Sequence, residues 1–267
     1  MENDNQHVSI ADLLKPKSQE DILQSALQIK NPDELLNIAI NKIDNIDVVK
    51  IAIERGADIS KVFSSDIKNP EIIKVLLDSL IIKISPNSLI YKAIKFNLED
   101  EVIDLIKKDK INLQEKNNKL LIWSIGYGLE NLTKMILKDK HLNLENSKDE
   151  ITEALSVLIV RKKNDLVKIL LKDKRVHAEA DLNKPIKVCC QFNNLEIAKL
   201  LLTNKLIDPS DDKNFALKQA QDKGFYDIVK LLLQDDRVLN KLSEVELTKK
   251  SLSLLKKNNK IVKESIK

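Results

Sequence analysis

Two adjacent cysteines, Cys189 and Cys190, and three histidines, His7, His141 and His177, are the side chains best able to attack a carbonyl, move a proton or bind a metal. Their spacing argues against each use. His177 stands 12 residues before Cys189, and neighbouring cysteines cannot easily bridge to one another. A zinc site needs four ligands, which no Cys-x-x-Cys or paired-histidine spacing supplies. The stretch from Asp208 to Asn214 begins like a calcium loop. Its sixth position, however, is Lys213 where glycine is required, and its twelfth is Gln219 where glutamate is required. Gly126 and Gly128 lack the third glycine and the preceding strand of a dinucleotide site, and no Gly-Lys-Ser/Thr occurs. With no acid, base and nucleophile converging, the sequence predicts a non-enzyme without metal or cofactor.

The elements that carry these residues are predicted to be helices. The 267 residues include only 4 Gly, 6 Pro and 9 aromatics, too few breakers for the many tight turns of a sandwich or barrel. The 43% hydrophobic share is mostly Leu, Ile and Val at helix-compatible spacing. Charged residues make up 32%, with 45 basic and 41 acidic, the mixed charge of a solvated helical surface. The longest uncharged stretch, Leu120 to Leu129, is 10 residues, well short of the roughly 20 that cross a bilayer. The opening MENDNQHVSIADLLK has no basic region leading into an apolar run, so no classical secretory signal is expected. Two adjacent cysteines make no disulfide framework, and an intracellular, cytoplasmic location is expected, in the source or in a host cell.

Internal repetition organises the chain. Seven segments share acid, two apolar residues, lysine and further apolar residues: DVVKIAI from Asp47, EIIKVLL from Glu71, EVIDLI from Glu101, NLTKMIL from Asn131, DLVKILL from Asp165, EIAKLLL from Glu196 and DIVKLLL from Asp227. The spacings are 24, 30, 30, 34, 31 and 31 residues. Six of the seven begin with Asp or Glu and six have Lys three residues later, so the pattern reads as a short helix whose first-turn carboxylate meets the positive end of the helix dipole. Those terms are worth only a few tenths of a kcal/mol to about 1 kcal/mol each, so packing against the next copy must supply most of the stability. A second helical segment precedes most copies: SLIYKAIKF from Ser88, KLLIWSIGY from Lys119, PIKVCCQF from Pro185 and FALKQAQDK from Phe215. Polar connectors follow, among them GADIS from Gly56, KINLQ from Lys110, HLNLE from His141, RVHAEAD from Arg175 and LIDPSDD from Leu206. Their alternation predicts extended or turn conformations, with strong turn chemistry at Asp208-Pro209-Ser210-Asp211.

This helix pair plus turn, about 31 residues long, resembles the ankyrin repeat, whose period is about 33. The resemblance covers Pro32 to Val238. In the copy from Ile207 it is carried by Ala216, Leu217, Ala220, Gly224, Asp227 and the run Ile228 to Leu233; the copy before it has Pro185 where the family has its Thr-Pro proline. The Thr-Pro-Leu-His signature appears nowhere in full. The glycine closing the first helix survives as Gly128 and Gly224, with Asn97 and Asn193 as left-handed substitutes. Only KVFSSDIKN separates one turn from the helix at Glu71, leaving the region 61–87 irregular, either a defective repeat or a break between two cooperative units. The resemblance implies an all-α solenoid of about seven ankyrin-like repeats with helical caps. It also places Cys189 and Cys190 at the family's small, buried Ala-Ala positions.

Residues 1–17 are expected to be a mobile polar leader, 18–31 a capping helix with Ser18 as N-cap, 32–238 the repeats, and 239–267 a basic C-terminal cap. That last segment has eight Lys and three Glu, a net +5 against +4 for the whole chain. Ser243-x-x-Glu246 is a capping box, and Leu247, Leu254 and Ile261 recur every seven residues, as in an amphipathic helix. A solvated face is the plain reading of its charge; an acidic partner or anionic membrane is the alternative, and nucleic acid the weakest, since no aromatic is present to stack on a base.

The resemblance implies a monomeric, non-catalytic scaffold that recognises a protein partner through its concave face, with no small-molecule substrate and no nucleic acid. An effector that recruits host proteins, or an assembly protein, are the other readings. Trp123 and Tyr127, spaced i, i+4, fall on the outward side of a first helix in the family register and are the aromatic candidates for partner binding. The turn-tip candidates, by location, are Asn112, Gln114, Asn143, Glu145, His177, Glu179, Ser210 and Asp212.

Overall fold

The computed structural model describes residues 18–85, 87–113, 117–145 and 147–242. The leader 1–17, Gln114 and the basic helix expected from Ser243 onward lie outside them. Among the described residues the chain is all-α, with 16 α-helices and a single isolated bridge between Ile84 and Ile111. It divides into two compact units, Met1–Leu142 and Asn143–Lys267. The boundary therefore falls at 142/143, away from the irregular stretch 61–87.

The first unit holds α1 (Gln19–Leu27), α2 (Pro32–Ile38), α3 (Ile46–Glu54), α4 (Pro70–Asp78), α5 (Ser88–Lys95), α6 (Glu99–Lys107), α7 (Asn117–Tyr127) and α8 (Glu130–Leu137). Local sequence sets where these begin. Ser18 and Asp21 form a capping box on α1, and Asn31, Asn45, Asn69 and Asn87 each accept backbone N–H groups at the start of α2, α3, α4 and α5. Pro32 and Pro70 follow two of those caps in the first turn, where the missing N–H costs nothing. Helices α3, α4, α6 and α8 pack in succession as one row, and α5 and α7 lie side by side in the other. Between Asp58 and Pro70 no α-helix forms. A 3-10 turn, Ile59–Val62, capped by the Asp58 carboxylate, packs against α2 instead. The stretch offers too few apolar residues to cover a second helix.

The second unit holds α9 (Lys148–Val160), α10 (Asn164–Lys172), α11 (Lys174–Glu179), α12 (Asn183–Gln191), α13 (Leu195–Leu202), α14 (Asp211–Asp222), α15 (Tyr226–Leu232) and α16 (Asp236–Leu239). Its two rows are continuous, α9, α12 and α14 in one and α10, α13 and α15 in the other, with a kink in α14 at the left-handed Asp212, Lys213 and Asn214. Between α12 and α16 the core comprises Cys190, Ala216, Leu217, Ala220, Ile228, Val229, Leu232, Leu233 and Val238. Burying each of its larger apolar side chains contributes roughly 1.5–3 kcal/mol.

Within a pair, the chain reverses through a left-handed residue. Asn97 (φ 60°), Gly128 (φ 73°), Asn193 (φ 53°) and Gly224 (φ 72°) take this conformation as the sequence predicts, and Lys162 (φ 58°) takes it between α9 and α10 without that signature. The repeated acid and lysine also do more than pair within one helix. Lys74 Nζ lies 3.0 Å from Glu71 and 3.6 Å from Glu101, and Lys168 contacts both Asp165 and Glu196, so each lysine joins consecutive copies.

One expected turn is helical. The alternating RVHAEAD segment forms α11, and the equivalent stretch one copy-pair later forms α16. Asp173 and Asp235 cap them by accepting the N–H of Arg175 and Arg237 at 2.9 Å and 3.0 Å, and each aspartate also holds that arginine's guanidinium. This closed local motif outweighs the alternating pattern. It also places His177 in a helix instead of an inter-repeat turn.

Candidate functional site

Helices α5 and α7 bury Leu89, Ile90, Ala93 and Ile94 on one side and Leu120, Leu121, Ser124 and Ile125 on the other. Apolar burial at this spacing turns Tyr91 and Lys95 of α5, and Trp123, Gly126 and Tyr127 of α7, toward the remaining face. There three aromatic rings meet. Tyr91 stands edge-on to Trp123, with ring centres 5.1 Å apart and planes at 62°, and edge-on to Tyr127 at 6.1 Å and 70°. The hydroxyls of Tyr91 and Tyr127 are 3.1 Å apart. Each such ring pair contributes about 0.5–1.5 kcal/mol, enough to restrict the rotamers of an exposed patch. Tyr91 and Tyr127 nevertheless retain 36% and 38% exposure, and Trp123 is half-buried.

The helices under the patch are fixed from behind. Asn87 caps α5, while the Ser88 hydroxyl and the Lys92 ammonium both donate to the Phe63 carbonyl, at 2.5 Å and 3.0 Å. In α7 the buried Ser124 hydroxyl donates to the Leu121 carbonyl, and Thr133 of α8 places its hydroxyl 2.9 Å from Ser124 Oγ. Tyr91 is not among the residues that the sequence singles out. Spacing inside one helix links Trp123 to Tyr127, but it cannot show which side chain of the neighbouring copy touches them. The available signal is Tyr91 itself, a large residue on the polar side of SLIYKAIKF.

The turn-tip residues are divided between the two units. In the first unit Asn112 donates its N–H to the Ile84 carbonyl at 2.7 Å and lines an open groove of about 340 Å³ with Lys83, Asp109, Asp139 and His141. The same tip is held by the Ile84 N–H, which donates to the Lys110 carbonyl at 2.8 Å. Gln114 lies outside the described residues. In the second unit Asn143 and Glu145 are exposed or nearly so at their backbone turn, where the Asn143 side-chain oxygen accepts the Glu145 N–H at 2.8 Å. His177 is half-buried, with Nε2 2.9 Å from the Asn204 amide nitrogen, and Glu179 ends α11. Ser210 is buried, and its hydroxyl is bonded to the Asp208 carboxylate, so it presents nothing outward. Asp212 is exposed and left-handed (φ 54°), 3.8 Å from Lys187 Nζ.

The residues that invited a chemical reading are absorbed by the fold. Cys189 and Cys190 are fully buried. Burial pushes both thiols up, Cys190 to about 12, so neither carries a thiolate near neutral pH. The calcium-like segment spends its carboxylates on its own chain: Asp208 accepts from the Ser210 N–H and from Lys241, and Asp211 pairs with Lys187 at 2.9 Å. Among the described residues no three His, Cys, Asp or Glu side chains are grouped to hold a metal ion. No helix among them is long and apolar enough to cross a membrane.

The continuous rows of the second unit are matched by a family model described as "Ankyrin repeats (3 copies)", over residues 155–242. Residues 155–242 carry ankyrin repeats. The ankyrin match runs from within α9 to α16, including the Cys189-Cys190 pair and the left-handed Asn193 and Gly224. Comparisons with curated proteins and with solved structures returned no match. Ankyrin repeats generally mediate protein–protein interaction. In the first unit, helix pairs α5–α6 and α7–α8 repeat the arrangement, each closed by a left-handed Asn97 or Gly128.

Proposed function

We propose that this chain is a non-catalytic protein-binding module whose contact surface is the open face of the first helices, centred on Tyr91, Trp123 and Tyr127. The observation that carries this reading is the aromatic trio: three large rings from two neighbouring copies, locked edge to face, with two of them more than a third exposed. A fold optimising only its own core would bury such rings or replace them. Aromatic side chains with a polar tip are the residues that most often dominate binding energy when a partner covers them. The tips Asn143, Glu145 and Asp212 are peripheral contributors in this reading, and Asn112 a further one. Ser210 and the cysteines, which are buried, form no part of this reading.

The mechanism is recognition by a surface ordered before the partner arrives, so that little conformational entropy is lost on binding. The purified chain serves as bait in lysate beside a Tyr91→Ala, Trp123→Ala, Tyr127→Ala variant of unchanged helicity. A partner retained by the wild type and lost from the variant supports the site. A partner retained equally by both moves the site elsewhere. The chain is expected to be monomeric, and light scattering over a concentration series separates this from the assembly-protein reading.

A further inference from the structure

The face that carries the aromatic trio has a charge and a notch that together describe what it receives. On α5 the ionisable groups besides Tyr91 are Lys92 and Lys95, and on the described turns of α7 the ionisable group besides Tyr127 is Lys119. Neither helix contains an aspartate or glutamate. Helix α6, packed behind α5, carries Glu99, Asp100, Glu101 and Asp104. Helices α4, α6 and α8, in one row, mix acids with lysines, among them Lys74, Lys107 and Lys134, whereas α5 and α7 carry lysines alone. Partial burial and, less so, Lys95 hold Lys92 below the usual lysine range, and Asp66, exposed and 3.7 Å from Lys68, opposes them. Lys95 and Lys119 are exposed, each four residues along the helix from a ring of the trio: Tyr91 to Lys95, and Lys119 to Trp123.

The notch is at Gly126. Counting back two residues from each left-handed reversal, the equivalent positions are Lys95, Gly126, Val160, Gln191 and Asp222, so every other copy has a side chain here. Gly126 has no left-handed φ, and a Cβ at this position would meet nothing within 4 Å. Neither backbone conformation nor internal packing requires glycine, which costs a helix up to about 1 kcal/mol relative to alanine. Its effect is to leave the α7 backbone open beside Tyr127 and one turn from Trp123.

We infer that the trio receives an acidic segment of a partner protein: an apolar or aromatic side chain laid against Tyr91, Trp123 and Tyr127, main chain approaching the α7 backbone at Gly126, and carboxylates beside Lys95 and Lys119. This rests on the protein-binding reading above and adds the partner's chemistry. Lysines on the rim supply attraction and register, and the desolvated rings supply most of the affinity.

The test uses the full chain and a phage library of random peptides of about 12 residues. Enriched peptides are synthesised and titrated by fluorescence polarisation against the wild type, Gly126→Gln, a Lys95→Glu, Lys119→Glu double variant, and Lys218→Glu on α14 as a control. The expected result is enrichment of Asp and Glu around a Phe, Tyr, Trp or Leu. Binding should weaken at least about tenfold in Gly126→Gln and in the double variant, stay unchanged in Lys218→Glu, and fall with added salt. Gly126→Gln keeps helicity, since glutamine is the better helix former, so its loss of binding is not loss of fold. Enriched peptides without acidic residues, or with equal affinity for Gly126→Gln, overturn this inference and leave the protein-binding reading standing. A library with no enrichment on the wild-type chain overturns both.

Discussion

The two units solve the same packing problem with different degrees of regularity. In the second, α9, α12 and α14 form an uninterrupted row of first helices, and the arginines that follow the second helices are held by aspartate caps. In the first, a 3-10 turn at Ile59–Val62 stands where a first helix would, and the chain passes through a wide π-type turn at Ala39–Ile43 ending in left-handed Asp44. The more regular unit is the one matched by the ankyrin family model, and the less regular one carries the aromatic trio. Framework and surface are therefore under different demands. Copies that must mate closely with both neighbours converge on small buried residues, whereas recognition needs exposed side chains that no packing rule prescribes.

The largest effect that sharpens this contrast is expected in the regular core. Leu217→Ala removes a side chain that is 1% exposed within the cluster around Ala216, Ala220 and Ile228. It should cost about 2–5 kcal/mol, read as a lower urea midpoint of the helical signal. Leu206→Ala in the same unit, at 84% exposure, should change the midpoint little. Comparable losses from both would mean that the exposed tip is packed in solution.

A second comparison pits two arginines against each other. Arg237 donates to the carbonyls of Leu202, Asn204 and Ile207 while Asp235 holds its guanidinium, whereas Arg55 donates to the carbonyls of Leu27 and Ile29 from an exposed position. Arg237→Ala should cost roughly 1–3 kcal/mol and Arg55→Ala under about 1 kcal/mol. A reversed order in urea denaturation would remove the case for a tighter second unit.

Acid should act through the same motif. Asp173 and Asp235 are held below the usual carboxylate range, first by hydrogen bonds from Arg175 and Arg237, against the opposing effect of burial. A carboxylate whose folded pKa is lowered stabilises the fold above its unfolded value. That contribution is lost as pH falls through the lowered folded value. Asp235→Asn should therefore lose less stability than the wild type between about pH 6 and about pH 3. An identical acid dependence in both proteins would show that Asp235 does not contribute.

The smallest expected effect is a gain. Gly126→Ala should raise stability by about 0.5–1 kcal/mol, because the position is helical and the added methyl meets open space. In the first unit this is the one substitution expected to strengthen the helix while hindering a partner's close approach. A thermal midpoint that falls in Gly126→Ala would mean that the glycine is needed by the fold itself.

Much of the framework is legible in the sequence because it rests on local chemistry and short periods. The acid, apolar and lysine pattern marks the second helices, and Asn97 and Asn193 stand out as reversal points because asparagine tolerates the left-handed conformation. Lys162 carries no such mark; its ammonium donates to the Phe192 and Asn193 carbonyls at 2.6 Å, contacts with the next copy that no window of sequence displays. The segment from Arg175 misleads for a related reason. Its alternating pattern is weaker than one aspartate that caps the helix and grips the arginine.

The candidate site divides along the same line. Helical spacing puts Trp123 and Tyr127 on one face and the ankyrin register that the sequence resembles makes that face the outward one, whereas the inward turn of Ser210 depends on its bond to Asp208 in the folded turn. By itself the sequence determined the helix pairs, their period and most reversals, since each follows from side-chain periodicity or backbone preference within about 31 residues, while the burial of Cys189 and Cys190 was implied by the ankyrin resemblance. Only the tertiary structure decided that Tyr91 joins Trp123 and Tyr127 and that Gly126 opens beside them. Contacts between copies are set by how neighbouring helices pack, and that is a property of the assembled rows.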